Sequence, residues 1–278
     1  MRGLAEYAMR GRRQAILATF ITGLIPFINT VLSPALVALV ILRHGWQEGA
    51  KVLVWALLPA VGWAVVGDMT HLVVLVGVSA LAVILHRTGS WQIALLAAIL
   101  VGVAAELVLV VNPQFVEMLQ QQLEVLLASS SETAPLTTPE DMRAFLGTLF
   151  GVMSMFLAIC LLILARWWQS LLYNPGGFGE EFRQLRLDYR IAAGLMFLFV
   201  LANFGAPLLQ GWMMYFMLPL FFAGLALVHG IAALRKISRP WVIVFYVVLM
   251  NPLTAQILTI AALIDSWYNF RGRIKPAV

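Results

Sequence analysis

Apolar runs broken by short polar stretches fill the chain from residue 14 to residue 267. Ten can be marked: 14–28, 30–42, 50–67, 70–86, 91–111, 143–166, 191–209, 211–234, 240–250 and 253–267. The longer ones suffice to cross a hydrocarbon core of about 30 Å at about 1.5 Å of helix per residue. The first two and the last two are short. The pattern predicts an all-α, polytopic transmembrane bundle of about eight to ten hydrophobic segments. It predicts one integral membrane domain over 1–278, with its first and last segments broken.

The breaks carry polar residues. The stretch "FITGLIPFINTVLSPALVALVILRHG", residues 20–45, holds Pro26, Asn29, Thr30, Ser33 and Pro34. Proline lacks the N–H that the helix ladder needs, and carbonyls freed at membrane depth must be met by protein or water. "LMNPLTAQILT" mirrors this near the C-terminus, with Asn251, Pro252, Thr254 and Gln256. Interrupted segments of this kind hold substrate in transporters. Asn29, Thr30, Ser33, Asn251 and Gln256 are therefore candidate ligand-binding residues, although prolines also kink helices that bind nothing.

Charge decides between a hairpin, with its polar tip at Asn29–Pro34, and a single kinked span for residues 14–42. If both terminal pairs fold back, every one of the 18 Lys and Arg except Arg143 falls on the same side, which the positive-inside rule makes cytoplasmic. One kinked span at the start would oppose the Arg-rich N-terminus to the Arg-rich loop 166–190. The C-terminal pair is less constrained, since a span kinked at Asn251-Pro252 moves only Arg271, Arg273 and Lys275 across.

Two loops stand out. Residues 112–142 hold Glu117, Glu124, Glu132, Glu140 and Asp141 and no Lys or Arg, so they read as an acidic outer, periplasmic loop. Within it "QFVEMLQQQLEVLLA" spaces Phe115, Leu119, Leu123 and Leu126 as an amphipathic helix, either a lid or a connector. Thr138 and Pro139 are placed to open the next helix. Residues 167–190 form a basic cytoplasmic loop. After the turn Asn174–Gly177 a helix is expected from Glu180, with Phe182, Leu185 and Tyr189 on one face. Arg183, Arg186 and Arg190 would lie on another, facing lipid headgroups or a protein partner.

Composition confirms the setting. The chain is 62% hydrophobic with a mean hydropathy of +0.92, and 11% charged, against about 25% in soluble domains. Its net charge of +5 is spread over loops rather than gathered in a solvated basic domain, so nucleic acid is not an expected partner. Cys160 is the single cysteine and excludes an internal disulfide. The N-terminus, with Arg10, Arg12 and Arg13 before an apolar run, reads as a signal anchor.

Glu106 lies in "ALLAAILVGVAAELVLVV", and Ala94, Ala98, Gly102 and Glu106 share one helix face. Small residues let another helix approach, and an intramembrane carboxyl there is either a functional group or an interhelical hydrogen bond. Asp68 and His71, three apart, are thin evidence for a cation site. His229 suits a helix–helix hydrogen bond. Asp265 suits a cap and an ion pair with Arg271 or Arg273. No HExxH, cysteine metal set or GxSxG elbow is present, so no catalytic residue, metal or cofactor is expected.

The stretches "PFINTVLSPALVALVILRHGWQEG", "NPGGFGEEFRQLRL" and "LIDSWYNFRGR" resemble the YybS-like family of bacterial inner-membrane proteins, over essentially the whole chain. That family is distantly similar to the S components of energy-coupling-factor vitamin transporters and to the rod-shape protein MreD. The resemblance implies an S-component-like helical core with a central pocket, in the bacterial inner membrane, with both termini cytoplasmic. It assigns no ligand residues, and the first segment lacks the Ala-x-x-x-Ala pair by which S components dock their transport partner. Two functions are expected. One is binding, with or without transport, of a small molecule or lipid within the bundle, using Glu106 and the broken segments. The other is an MreD-like, non-transporting scaffold for envelope or cell-shape machinery.

Overall fold

The computed structural model of the chain describes residues 2–129, 139–204 and 211–274. All regular structure among them is helical, in fourteen helices. Contacts divide the chain into two compact units, Met1–Pro175 and Gly176–Val278, at the turn Asn174–Gly177.

Unit 1 contains α1 (Arg2–Ala8), α2 (Arg12–Leu24), α3 (Asn29–His44), α4 (Trp46–Val65), α5 (Thr70–Thr88), α6 (Trp91–Val111), α7 (Pro113–Ser129) and α8 (Pro139–Tyr173). Its centre is α3, which packs on α2, α4, α5 and α8. Every residue from Ser33 to Leu42 is buried. Unit 2 contains α9 (Gly177–Gln184), α10 (Tyr189–Asn203), α11 (Met213–Leu234), α12 (Arg239–Leu249), α13 (Pro252–Tyr268) and α14 (Phe270–Arg273). There α11 is central, against α9, α10, α13 and α14. It crosses α13 closely because Gly224 has no side chain; a Cβ there would lie 2.7 Å from the Leu258 carbonyl oxygen.

Among the described residues five helices are long and apolar enough to cross a membrane: α4, α5, Trp91–Leu109 of α6, Met142–Tyr173 of α8, and α11. A sixth span arises if Pro240–Leu249 and Pro252–Tyr268, bent by 109°, count as one. This is fewer than the eight to ten segments hydropathy predicts, and the reason is length. Helices α2, α3 and α10 have 13, 16 and 15 residues, or about 20–24 Å of helix against a core of about 30 Å. The apolarity of α3 reflects burial inside the unit.

The hairpin is present within unit 1. Helix α2 starts where Arg12 pairs with Glu48, at the beginning of α4, with Nη2···Oε2 at 2.8 Å. It ends where the Trp63 indole, near the end of α4, donates to the Gly23 carbonyl at 3.0 Å. Helix α3 then returns. At its last turn the Leu42 carbonyl bonds His86 Nδ1 (3.1 Å) at the end of α5 and accepts from Gln169 Nε2 (3.0 Å) near the end of α8. The Arg43 guanidinium lies 4.0 Å from the centre of the Tyr173 ring. The loop ends bearing Arg12, Arg43, Lys51 and Arg87 thus gather at one end of the unit, and Asp68 and Glu117 lie toward the other. The turn itself is Ile25–Ile28, with Phe27 at φ 65° and 95% exposed. The tip expected at Asn29–Pro34 is instead the first turns of α3, because Asn29 Oδ1 accepts from the Thr30 N–H and hydroxyl and holds that turn.

The amphipathic helix expected in the acidic loop is α7. Phe115 and Val116 are buried against Ala105, Leu109, Leu146 and Phe150, with the two Phe rings edge-on at 5.0 Å. Glu117 faces away and is exposed. Thr138 and the rest of 130–138 lie outside the described residues, as does Lys275.

The helix expected from Glu180 to Arg190 is corrected. It stops at Gln184, and residues 185–188 run without helical structure. Leu185 and Leu187 are buried while Arg186 and Asp188 are exposed, the alternation of an extended segment. Asp188 Oδ1 accepts from the Arg190 N–H at 2.9 Å and starts α10, a capping preference strong enough to interrupt a helical pattern. Tyr189 and Arg190 therefore belong to α10.

Candidate functional site

Glu106 faces α8. The Thr148 hydroxyl lies 3.5 Å from Glu106 Oε1, and a Cβ on Gly147 would sit 3.4 Å from Glu106 Cγ. Ala94 and Ala98 are buried along the same face. The small residues let α6 approach α8, and the carboxyl makes an interhelical contact.

Asn29, Thr30 and Ser33 lie in the first two turns of α3. Asn29 is 3% exposed and Ser33 fully buried. Pro34 supplies no N–H to the Thr30 carbonyl one turn back, and the Ser33 hydroxyl has no hydrogen-bond partner among the described residues. The structure does not bring Glu106 to these residues: α6 packs on α5, α7 and α8, whereas α3 packs on α2, α4, α5 and α8. Asn251 and Gln256 belong to unit 2 and are exposed. Asn251 caps α13, its Oδ1 accepting from the Leu253 N–H at 2.9 Å.

His71 is the polar residue that spacing did not single out for burial. Asp68 Oδ1 accepts from the Thr70 N–H at 2.9 Å in the turn that leads into α5. His71 turns inward instead, fully buried, with neither ring nitrogen partnered among the described residues. It lies beside Gly23 and Pro59: a Cβ on Gly23 would be 2.8 Å from Pro59 Cγ and 3.3 Å from His71 Cε1. A buried polar group without a partner costs about 1–3 kcal/mol, and unit 1 carries this cost at Ser33, at His71 and at the Trp168 indole.

In unit 2 the two polar motifs meet. Asp265 is almost fully buried; its Oδ1 accepts from the Phe270 N–H and its Oδ2 from Arg271 Nη2, each at 2.8 Å. Arg271 Nη1 donates to the Arg183 carbonyl at 2.6 Å. Gly230 makes room: a Cβ there would stand 2.8 Å from Arg271 Cδ and 3.1 Å from the Arg183 carbonyl oxygen. Asn269, at φ 49°, caps α14. On α9, Phe182 stacks edge-on against His229 at 6.0 Å, and His229 Nε2 hydrogen-bonds the Tyr246 hydroxyl at 2.7 Å. Asp265 caps and pairs as its position suggests. Gly230 gave no usable signal in a segment already rich in small residues.

Among the described residues no three His, Cys, Asp or Glu side chains gather as metal ligands do. No family model, curated protein or solved structure matches the chain.

Proposed function

We propose that the chain is a YybS-like protein of the bacterial inner membrane, with both termini cytoplasmic, that binds a small polar molecule or a lipid group inside the helices of unit 1. The observation that carries this reading is the Ser33 hydroxyl, fully buried and without a partner among the described residues. It lies one residue before a proline in the most enclosed helix of the unit. Apolar cores do not retain such a group for stability; a guest that hydrogen-bonds it accounts for it. His71 is a second group of this kind. The gathering of basic residues at one end of unit 1 supports the cytoplasmic placement of that end.

Native mass spectrometry of the detergent-purified protein tests this. The expected result is a bound molecule on the wild type that is absent from Ser33→Ala. In guest-free protein Ser33→Ala should raise stability by about 1–2 kcal/mol, because it deletes an unsatisfied group. A Ser33→Ala variant that is destabilised when guest-free, or a wild type that carries no molecule, overturns the reading. The second of these outcomes leaves the MreD-like scaffold as the better account.

A further inference from the structure

We infer that unit 2 carries a separate site, a basic groove that takes the phosphate of an anionic membrane phospholipid. The groove has a volume of about 580 Å³ and is lined by Glu180, Arg183, Arg186, Gly230, Asn269 and Arg271. It joins the two polar motifs, which otherwise serve only to hold each other.

Charge is distributed unequally among the three arginines. Arg271 is neutralised from behind by buried Asp265 and fixed by the Arg183 carbonyl. Arg183 spends its Nε on the Gly179 carbonyl at 2.7 Å, leaving its two terminal nitrogens for the groove. Arg186 has no hydrogen bond or ion pair among the described residues. Its backbone is held on both sides by buried Leu185 and Leu187, so an anchored segment presents a free guanidinium. A guanidinium fork matches phosphate oxygens in two-point geometry, which an ammonium cannot do.

The surroundings select a lipid over a soluble phosphate. The groove lies at the last turn of α11, with Ala233 and Leu234 in its wall, where a 22-residue apolar helix ends. That is the level at which headgroups meet a spanning helix. Phe182 ties α9 to α11 at the same level. An acyl chain attached to a phosphate here continues along apolar surface.

Purified protein in nanodiscs of equal phosphatidylglycerol and phosphatidylcholine, examined by native mass spectrometry, tests the site. Wild type should retain phosphatidylglycerol in preference. Arg186→Gln and Arg183→Gln should each lower that retention about five-fold, the scale for one arginine at an anionic surface. Arg186→Gln breaks no internal bond, so its fold should persist. Arg190→Gln should change nothing, because Arg190 lies outside the groove with its Nε on the Tyr189 hydroxyl. An equal loss in Arg190→Gln, unchanged retention in the Arg183→Gln/Arg186→Gln double variant, or displacement of the lipid by millimolar glycerol phosphate would each overturn the proposal.

Discussion

Asp265→Asn isolates the ion pair within the closing motif that holds Arg271 in place to reach the Arg183 carbonyl. The substitution is nearly isosteric. Asparagine Oδ1 still accepts from the Phe270 N–H, so the turn into α14 survives. The bond to Arg271 does not, because an amide nitrogen would face a guanidinium donor. The two side chains are 2% and 12% exposed, so the remaining charge is poorly hydrated. Removing one partner of a buried pair costs about 3–5 kcal/mol. Arg271 keeps its bond to the Arg183 carbonyl and lines the groove, which favours the lower figure, about 3 kcal/mol. At about 2–4 °C per kcal/mol, the thermal midpoint of the detergent-solubilised protein should fall by about 6–12 °C. The pair Asp265→Asn/Arg271→Met should lose less than the sum of its singles, because the second change removes the stranded charge. A single variant within about 1 °C of wild type, or strictly additive losses, would refute the view that this pair holds the motif together.

Two further outcomes follow from the packing. Gly224→Ala should force α11 and α13 apart, because its Cβ would meet the Leu258 carbonyl oxygen and Cγ, both at 2.7 Å; a loss of about 1–3 kcal/mol in denaturant unfolding is expected. In a Cys160→Ala background, Thr88→Cys and Val66→Cys, at the two ends of unit 1, should react with an impermeant thiol reagent from opposite faces of the membrane, Thr88→Cys from the cytoplasmic one; labelling of both from one face would mean that α5 does not cross, and labelling of Thr88→Cys from the periplasmic face would remove the hairpin topology.

The long spans were legible because hydropathy over 18 or more residues has few other causes. The α2–α3 hairpin was also legible, but from the charges of Arg12 and Arg43 at its open end and of Lys51 beyond it rather than from its apolar residues and prolines, since only a returning chain puts those charges together. Helix α3 was counted among the hydrophobic segments because burial against protein and burial in lipid select the same Val, Leu and Ala. The break after Gln184 was hidden because Phe182, Leu185 and Tyr189 fit helical spacing, while the alternation of Leu185 and Leu187 is only two residues deep. The inward turn of His71 left no trace in the pattern. Its burial depends on Gly23 and Pro59, which approach it from other helices.

The position of α3 has a consequence for how the chain is made. This helix emerges early, yet two of the surfaces that enclose it, α5 and α8, follow only after residues 70 and 139. A nascent chain arrested between them would leave a short helix, with a proline near its start, at the membrane with α5 and α8 missing from around Ser33. Insertion of the first hairpin is therefore provisional until translation has passed residue 173. Fragments that stop earlier should be substrates for membrane quality-control proteases rather than stable half-proteins.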